Sequence, residues 1–325
     1  MPRDSRGRKH VTAWLKLLVS TLLLGLLLWR TPLTEVLAHL HNLRLATLLI
    51  CAGLALASWA LSALRLWCLL PGVAYAIVLR NTFTSMLYAA VLPGPIAGDL
   101  VKAYRLGRTA QQRGHAEAAT FVDRGIALFA LFFLSAIAAP MSAGIPPLLC
   151  GFFVGGVAVM AAVGLLFASK GFRRLVEAKC AAGTARTFLR HFAIAMHDCL
   201  RRPMRMLLAF ILALAFHAMC VLIQVILAVD LGIAVDWIDW IAIYAGVSLI
   251  TLMPFSIAGI GLREGGFVGL LYLFGIGSSM ALSQSFATFA LSLFGATCGG
   301  LLEVCDAWRT RNTARAGADG NSAAP

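Results

Sequence analysis

The sequence predicts an all-α, polytopic membrane protein with about six to eight transmembrane helices, including broken or re-entrant helices, arranged as two inverted repeats. Composition is the first observation. Of the 325 residues, 60% are hydrophobic and only 13% are charged, whereas about a quarter of the residues in soluble domains are charged. The second observation is that several long runs contain no Lys, Arg, Asp or Glu. The third is a motif containing Pro and Gly that occurs twice, about half a chain length apart.

The uncharged runs predict where the chain crosses the bilayer, because about 20 apolar residues in a helix span the hydrocarbon core. The runs cover residues 45–64, 81–98, 125–169, 206–229, 240–262 and 265–302. We expect a membrane domain over residues 11–305, divided into a first repeat (about 11–139), a basic cytoplasmic loop (170–205) and a second repeat (206–305).

The N-terminal residues 1–10 are basic, and an apolar segment, 11–29, follows them. This order resembles a signal peptide, but no cleavage site with small residues is evident, so the segment predicts an uncleaved first helix. Residues 31–42 then form a short outer loop, and the second span, 45–64, returns to Arg65.

The run 81–98 lies between Arg80 and a basic loop that begins at Lys102. If both flanks are cytoplasmic, this run enters and leaves on the same side, as a re-entrant hairpin. The run 240–262 enters from the opposite face and breaks at Pro254, which is the pattern of an inverted repeat.

The remaining runs predict complete crossings. Residues 125–169 are long enough for two spans joined by a tight outer turn at Pro140, Pro146 and Pro147. Residues 265–302 are also long enough for two crossings, divided near 275–279. The tail, 306–325, is polar and rich in small residues, and we expect it to be disordered.

The net charge of +13 comes largely from Lys and Arg in the loops and the tail. The positive-inside rule explains this placement better than nucleic-acid binding does. We therefore expect no nucleic-acid partner, and both termini in the cytoplasm.

The repeated motif predicts a binding site. Residues 93–98 and 254–259 share the pattern Pro-x-x-Ile-Ala-Gly, and each copy leads directly into charged residues. Helix breaks and charge are both costly in lipid, so paired breaks beside charge point to a transporter's substrate site. The candidate substrate-binding residues are Pro93, Gly94, Gly98, Asp99, Asp123, Arg124, Pro254, Gly259, Gly261, Arg263 and Glu264.

These residue types suit a phosphate-bearing lipid headgroup. A broken helix exposes backbone N–H groups that attract anions, and glycine lets the backbone approach a ligand closely. Arg124 and Arg263 add donors that match phosphate oxygens. Asp99, Asp123 and Glu264 either hold these arginines in place or carry a coupling proton; the sequence leaves both roles open.

Signatures of other chemistry are missing from the sequence. It contains no GxxxxGK[ST] phosphate loop, no HExxH zinc motif and no Gly-x-Ser-x-Gly nucleophile motif. Its eight cysteines are scattered and form no CxxC pair. We therefore expect no cofactor, no metal site and no catalytic residue.

Three segments together resemble the signatures of the lysylphosphatidylglycerol synthase transmembrane (flippase-like) family. They are residues 92–99 (LPGPIAGD), Asp123-Arg124 and residues 253–264 (MPFSIAGIGLRE). The resemblance covers roughly residues 10–305. The first segment departs from the family pattern, which usually has a Gly pair before the Asp, because Ala97 replaces one glycine.

The resemblance implies a bacterial inner-membrane flippase-like transporter that moves an anionic or phosphate-bearing lipid or glycolipid between leaflets. Few residues follow the last span, so we expect no synthase activity and no enzyme. One alternative is a non-transporting membrane subunit that recruits a glycosyltransferase or lipid-modifying enzyme through its basic loop. A third is a membrane enzyme that uses Asp99 or Glu264 as a base. The lipid, the direction of transfer and the oligomeric state stay open.

Overall fold

The computed structural model is all-helical over the residues it describes. These are residues 25, 31–70, 72–92, 97–109, 113–169, 171, 193–253, 256 and 259–321, with the backbone alone at 109, 113 and 309–321. The named helices are α1 (Leu33–His41), α2 (Leu45–Leu69), α3 (Tyr75–Val91), α4 (Ala97–Thr109), α5 (Arg113–Ala138), α6 (Pro147–Ala168), α7 (Pro203–Asp230), α8 (Trp237–Thr251), α9 (Leu262–Tyr272) and α10 (Ser278–Asn321).

Five helices within the described residues are long and apolar enough to cross a membrane. They contain 22 to 31 residues each, and at 1.5 Å per residue even the shortest exceeds the roughly 30 Å of the hydrocarbon core. These helices confirm the prediction of a polytopic all-α membrane protein. The predicted first span, 11–29, lies outside the described residues except for Gly25. The five segments are Leu45–Leu69, Gly114–Met141, Pro147–Ala168, Pro203–Asp230 and Ser278–Trp308.

The helix is interrupted at both copies of the repeated motif. In the first copy α3 ends at Val91 and α4 begins at Ala97; in the second, α8 ends at Thr251 and α9 begins at Leu262. The backbone of Gly259 and Gly261 has positive φ angles of 76° and 84°, which favour glycine and end helical geometry. Each break therefore separates two short helices within one half of the chain.

Several helix boundaries differ from those predicted. α2 continues past Arg65, and α5 begins well before Asp123. A charge does not end a helix where another helix supplies its partner, and Arg65 and Asp123 pair with each other across α2 and α5. The segment 31–42, predicted as a loop, contains α1.

The prediction of two crossings in residues 265–302 was wrong. α9 has only 11 residues, and about 16 Å of helix covers roughly half of the hydrocarbon core. One crossing helix, α10, accounts for the rest of the run. The tail was predicted to be disordered from residue 306, whereas α10 continues to Asn321. By contrast, the predicted pair of spans in 125–169 is present as α5 and α6, joined by a turn that includes a short 3₁₀ helix, Ala139–Met141.

Glycines allow close packing around α3. A Cβ added to Gly98 of α4 would lie 2.5 Å from the carbonyl oxygen of Ser85 and 2.9 Å from the Cβ of Ala89. On another face of α3, a Cβ at Gly299 of α10 would collide with the backbone of Phe83. Small residues of this kind let helix backbones approach closely in membranes, so α3 is held tightly between α4 and α10.

The two halves of the chain pack in a recurring order. In the first half, α3 contacts α4 and α4 contacts α5; in the second, α8 contacts α9 and α9 contacts α10. Contacts also connect the two halves: α3 packs against α10, and α8 packs against α5. α2 and α7 pack against each other. Each of these contacts in one half thus has a counterpart in the other.

Buried polar side chains of α7 connect it to its neighbours. His217 lies 2.9 Å from the carbonyl oxygen of Ala127 and 3.3 Å from the hydroxyl of Tyr244. Since a carbonyl only accepts, the His217 Nε2 donates to Ala127. Gln284 of α10 donates to the side-chain oxygen of Gln224 at 2.9 Å. These bonds satisfy polar groups that would otherwise be costly in the apolar interior.

Candidate functional site

A cavity of about 230 Å³ lies beside the first helix break. Side chains from α2, α3, α4, α5 and α7 line it, so it is enclosed by helices of both halves of the chain. Most of its wall is apolar or hydroxylated, with Trp59 and Phe216 as the aromatic members. The charged residues of the wall are Arg65, Asp99, Lys102, Asp123 and Arg124.

Arg65 and Asp123 form a buried ion pair in this wall. The Arg65 Nε lies 2.6 Å from Oδ1 of Asp123, and the Nη2 lies 3.0 Å from Oδ2. Both residues are almost fully buried, at 4% and 3% exposure. The remaining nitrogen, Nη1, is buried and has no hydrogen-bond partner within the described part of the chain. This nitrogen is therefore a buried donor without an acceptor among the described residues, which is costly in the apolar interior.

Asp99 joins two further cations at the start of α4. Its Oδ1 lies 3.0 Å from the ammonium of Lys102, one turn along the same helix, and its Oδ2 lies 3.6 Å from Nη1 of Arg124 on α5. Lys102 is buried, whereas the Arg124 side chain is 43% exposed. Arg124 therefore lies at the open side of the cavity, and Lys102 lies deeper in the protein.

The cavity wall carries an excess of positive charge. Three cations, Arg65, Lys102 and Arg124, face two carboxylates, Asp99 and Asp123, which leaves one positive charge in excess. Uncompensated charge at low dielectric is costly. An anion that entered the cavity would complete this charge balance.

The second break is arranged differently, because its charges neutralise one another. The Nη2 of Arg263 lies 2.7 Å from Oε1 of Glu264, and the other oxygen of Glu264 accepts a 2.6 Å hydrogen bond from the backbone N–H of Gly261. The hydroxyl of Ser285 lies 3.3 Å from the Arg263 Nε, and the ring of Phe289 lies 4.6 Å from its guanidinium carbon. The Arg263 guanidinium is thus bound by residues of the protein itself.

Ion pairs also connect α10 to α3 and α4. Nη1 of Arg105 donates to Oε2 of Glu303 at 2.8 Å, and the Tyr88 hydroxyl donates to Oε1 at 3.1 Å. Arg80 pairs with Asp306 further along α10. These contacts link the broken helix of the first half to the last helix of the second half.

The sequence also matches a known family. The sequence profile of the lysylphosphatidylglycerol synthase TM region matches residues 13–300. The chain belongs to this family. The match covers both broken segments and every charged residue of the cavity. A search of curated proteins found no match.

The structure of this family member brings together only some of the predicted site residues. Gly98, Asp99, Asp123 and Arg124 line the cavity. Gly259, Gly261, Arg263 and Glu264 lie at the second break and are not part of the cavity wall. Pro93, Gly94 and Pro254 lie outside the described residues.

The pairing of charges in this family member differs from the expectation in one respect. One of the two roles left open for Asp123 was to hold Arg124 or Arg263, but the residue that it pairs with is Arg65. Its neighbour Arg124 points to Asp99 instead. Successive residues on a helix project about 100° apart, so Asp123 and Arg124 face different neighbours.

The sequence analysis missed two site residues of this family member, Arg65 and Lys102. Arg65 was interpreted as the end of a span, although apolar residues continue to Leu70. A charge flanked by apolar residues on both sides was the signal that selected Arg263, and it applies equally to Arg65. Lys102 was assigned to a cytoplasmic loop, but its spacing of three residues from Asp99 places both on one face of a helix.

Proposed function

We propose that this protein is a flippase-like transporter, which moves an anionic or phosphate-bearing lipid or glycolipid between the two leaflets of a bacterial inner membrane. The observation that carries the proposal is the cavity beside the first break, whose wall has one positive charge in excess. Intramembrane charge of this kind marks substrate pathways in transporters. The headgroup would occupy the cavity while its acyl or isoprenoid chains remain in the bilayer.

The chemistry of the wall supports a phosphate-bearing ligand. Arginine offers planar donors that match phosphate oxygens, and lysine adds a point charge. The first turn of α4 begins at the break, where backbone N–H groups lack partners within the helix and favour anions. The aromatic side chains of Trp59 and Phe216 give the wall an apolar part that suits the glycerol or sugar portion of a lipid.

The packing order supports an inverted repeat with re-entrant helices. The contacts of α3 with α10 and of α8 with α5 are the contacts expected if one half is related to the other by a pseudo-two-fold axis. In this arrangement the α3–α4 hairpin enters from the cytoplasm and the α8–α9 hairpin from outside. Both termini are then cytoplasmic, in agreement with the basic loops.

The two breaks suggest how transport proceeds. The cavity beside the first break is open to a ligand. At the second break, Arg263 is paired with Glu264. Rocking of one repeat against the other would open the second break as the first closes, which is alternating access. We propose transport, driven by the lipid gradient or by an ion, and not an enzymatic reaction.

Leaflet exchange in liposomes tests the proposal. Purified protein is reconstituted with fluorescent phosphatidylglycerol or a labelled polyprenyl phosphate, and a membrane-impermeant quencher reports the outer-leaflet fraction over time. We expect faster exchange than in protein-free liposomes for at least one anionic lipid. Exchange no faster than in empty liposomes, across all these lipids, would rule the proposal out.

The alternative, a membrane subunit that recruits a lipid-modifying enzyme or glycosyltransferase, makes the opposite mutational prediction. Charge reversal in the basic loop, 170–205, would then abolish function, and Arg124→Ala would be silent. For the transporter we expect the reverse order, because Arg124 lies at the open side of the cavity and none of the described loop residues lines it. Leaflet exchange and cellular complementation by both variants distinguish the two.

A further inference from the structure

His217 connects the two halves of the chain through both nitrogens of its ring. Its Nε2 donates to the carbonyl oxygen of Ala127 on α5 at 2.9 Å, and its Nδ1 lies 3.3 Å from the hydroxyl of Tyr244 on α8. Because Nε2 carries the proton of the neutral ring, Nδ1 accepts from that hydroxyl. These contacts fix one neutral tautomer, and they join α5 of the first half to α8 of the second through α7.

We propose that His217 binds a proton that is transported together with the anion, and that Tyr244 is its positioning residue. This inference rests on the proposed function, since it names the coupling ion of that transport and the site that binds it. Imidazole suits this task because it takes up and releases a proton near neutral pH. Among the described residues, His217 is the only histidine in the middle of a membrane-crossing helix.

The carboxylates beside the two breaks are less suited to carry the proton, because each is bound to a cation. Their pairs are Asp123–Arg65, Glu264–Arg263 and Asp99–Lys102. A proton on one of these carboxylates would break its ion pair and leave a buried cation without a partner, which is strongly destabilising. The described contacts of His217 are hydrogen bonds to neutral groups, so a proton on its ring breaks no ion pair.

A proton on Nδ1 reverses the hydrogen bond between His217 and Tyr244. Both ring nitrogens of an imidazolium are donors, so Nδ1 then donates to the Tyr244 oxygen. The hydroxyl must turn its own proton elsewhere, and the side chains of Cys220 and Ser248 lie beside it. Protonation thus reorganises the contact between α7 and α8, and α8 is the helix that leads into the second break.

The cavity beside the first break is one residue away from this histidine. Phe216, its neighbour in the sequence, lines the cavity, and the centre of the Phe216 ring lies 5.7 Å from the guanidinium carbon of Arg65. The charges of Arg65 and Arg124 act on the His217 ring, and like charges repel an imidazolium. The charge of the cavity wall is therefore felt at His217.

The helices packed against α7 differ in the ionisable groups that they bring towards this region. They are Arg65 from α2, Asp123 and Arg124 from α5, and the phenol of Tyr244 from α8. From α10, the group that binds α7 is the neutral amide of Gln284. With the thiol of Cys220 on α7 itself, the surroundings of His217 carry more positive than negative charge.

An anion in the cavity and a proton on His217 therefore stabilise each other. The anion cancels the excess positive charge of the wall, and so it weakens the repulsion of the imidazolium. By thermodynamic linkage, a bound proton strengthens the binding of the anion by the same factor. Anion and proton then cross the membrane in the same direction, and a pH gradient moves the lipid towards the alkaline side.

Leaflet exchange under a pH gradient tests the inference. The protein is reconstituted with fluorescent phosphatidylglycerol in both leaflets of liposomes, with valinomycin and equal potassium on both sides so that no membrane potential develops. We expect the label to accumulate in the leaflet on the alkaline side. With one proton per lipid, a gradient of about one pH unit gives at most about tenfold enrichment. Protein-free liposomes under the same gradient give the background.

His217→Gln removes the titratable group and keeps an N–H donor for Ala127. We expect this variant to leave the label equally distributed under the gradient. Tyr244→Phe removes the partner of Nδ1, and we expect it to accumulate less label than the unaltered protein does. His197→Gln is the matched control, because His197 is also buried, at 1% exposure, but lies between α6 and α7 near the carbonyl of Phe167. Its accumulation should equal that of the unaltered protein.

Proton uptake on binding provides a readout that does not require transport. Short-chain phosphatidylglycerol is bound to the protein in detergent, and calorimetry in two buffers of different ionisation enthalpy counts the protons taken up. We expect uptake of up to about one proton per lipid by the unaltered protein and by His197→Gln. We expect no uptake by His217→Gln.

The possible outcomes separate this inference from the proposed function. Accumulation or proton uptake retained by His217→Gln would overturn the assignment of His217. Leaflet exchange by the unaltered protein that does not respond to the gradient would overturn the coupling and leave transport intact. Absence of any exchange would refute transport, and proton uptake on binding would then decide alone whether His217 is the proton site.

Discussion

Arg263 and Glu264 are adjacent in the sequence, and their side chains nevertheless bind each other, with Nη2 2.7 Å from Oε1. Neighbours on a helix usually diverge by about 100°, but these two stand in the first turn of α9, where Glu264 also accepts the N–H of Gly261. One carboxylate thus neutralises the arginine and caps the helix. This pair thus joins the charged residues of the second break to the start of α9.

Replacing Glu264 by Gln should therefore destabilise the protein strongly. Removing one partner of a buried ion pair costs about 3–5 kcal/mol, and Glu264 is only 1% exposed. Thermal unfolding of the purified protein in detergent measures the effect. Glu303→Gln is the matched control, because its side chain is 32% exposed and exposed pairs contribute about 1 kcal/mol or less. Equal losses of stability in the two variants would contradict this account of the second break.

Gly98→Ala should loosen the packing of α3 on α4. The new methyl group would lie 2.5 Å from the backbone oxygen of Ser85, so the helices must separate, at a cost of about 1–3 kcal/mol. Gly125→Ala on α5 is the control, because nothing lies within 4 Å of its added Cβ, and alanine is the better helix former. We expect a lower midpoint of thermal unfolding for the first variant and an equal or higher one for the second. The opposite order would show that α3 and α4 are not in close contact.

Arg124→Gln should slow leaflet exchange by about tenfold, because a charge-assisted hydrogen bond to the ligand is lost. The folded protein should tolerate the change, since the Arg124 side chain is 43% exposed and its contact with Asp99 is long, at 3.6 Å. The quencher assay measures exchange, and thermal unfolding confirms stability. Arg108→Gln serves as the control outside the cavity. Equal exchange rates for both variants would remove Arg124 from the transport path.

The inverted repeat makes a prediction about sidedness. If the hairpins α3–α4 and α8–α9 enter from opposite faces, Arg108 at the end of the first hairpin faces the cytoplasm, and Gly277 after the second faces outside. In a cysteine-free background, a membrane-impermeant maleimide added to intact cells should label Gly277→Cys. It should label Arg108→Cys only after permeabilisation. Labelling of both positions from the same side would refute the inverted arrangement.

The sequence was sufficient for the fold class, the breaks and three of the five charged residues of the cavity. Long uncharged runs predict spans because lipid excludes charge, and Pro and Gly at residues 93–98 and 254–259 predict interruptions because they disrupt helical hydrogen bonding. Asp99 and Arg124 were identified because they lie beside these features. The division of the last apolar run near residues 275–279 was also predicted, but α9 was expected to cross the membrane and has only 11 residues.

Arg65 shows why the rest of the site was missed. A charge at the end of an apolar run has two interpretations, an interface or a buried pair, and the choice depends on whether another helix brings a partner. Asp123 is distant in sequence, and only the packing of α2 and α5 brings it within 2.6 Å. The same limit applies to Asp123, whose pairing with Arg65 instead of Arg124 depends on the rotation of α5 about its axis.

A structure determined by electron cryo-microscopy in nanodiscs containing phosphatidylglycerol would test the central claim most directly. The account predicts phosphate density inside the cavity, next to Lys102 and Arg124, with acyl chains leading into the bilayer. An ordered cavity that contains only water, with lipid phosphates found solely at the membrane surface, would contradict it.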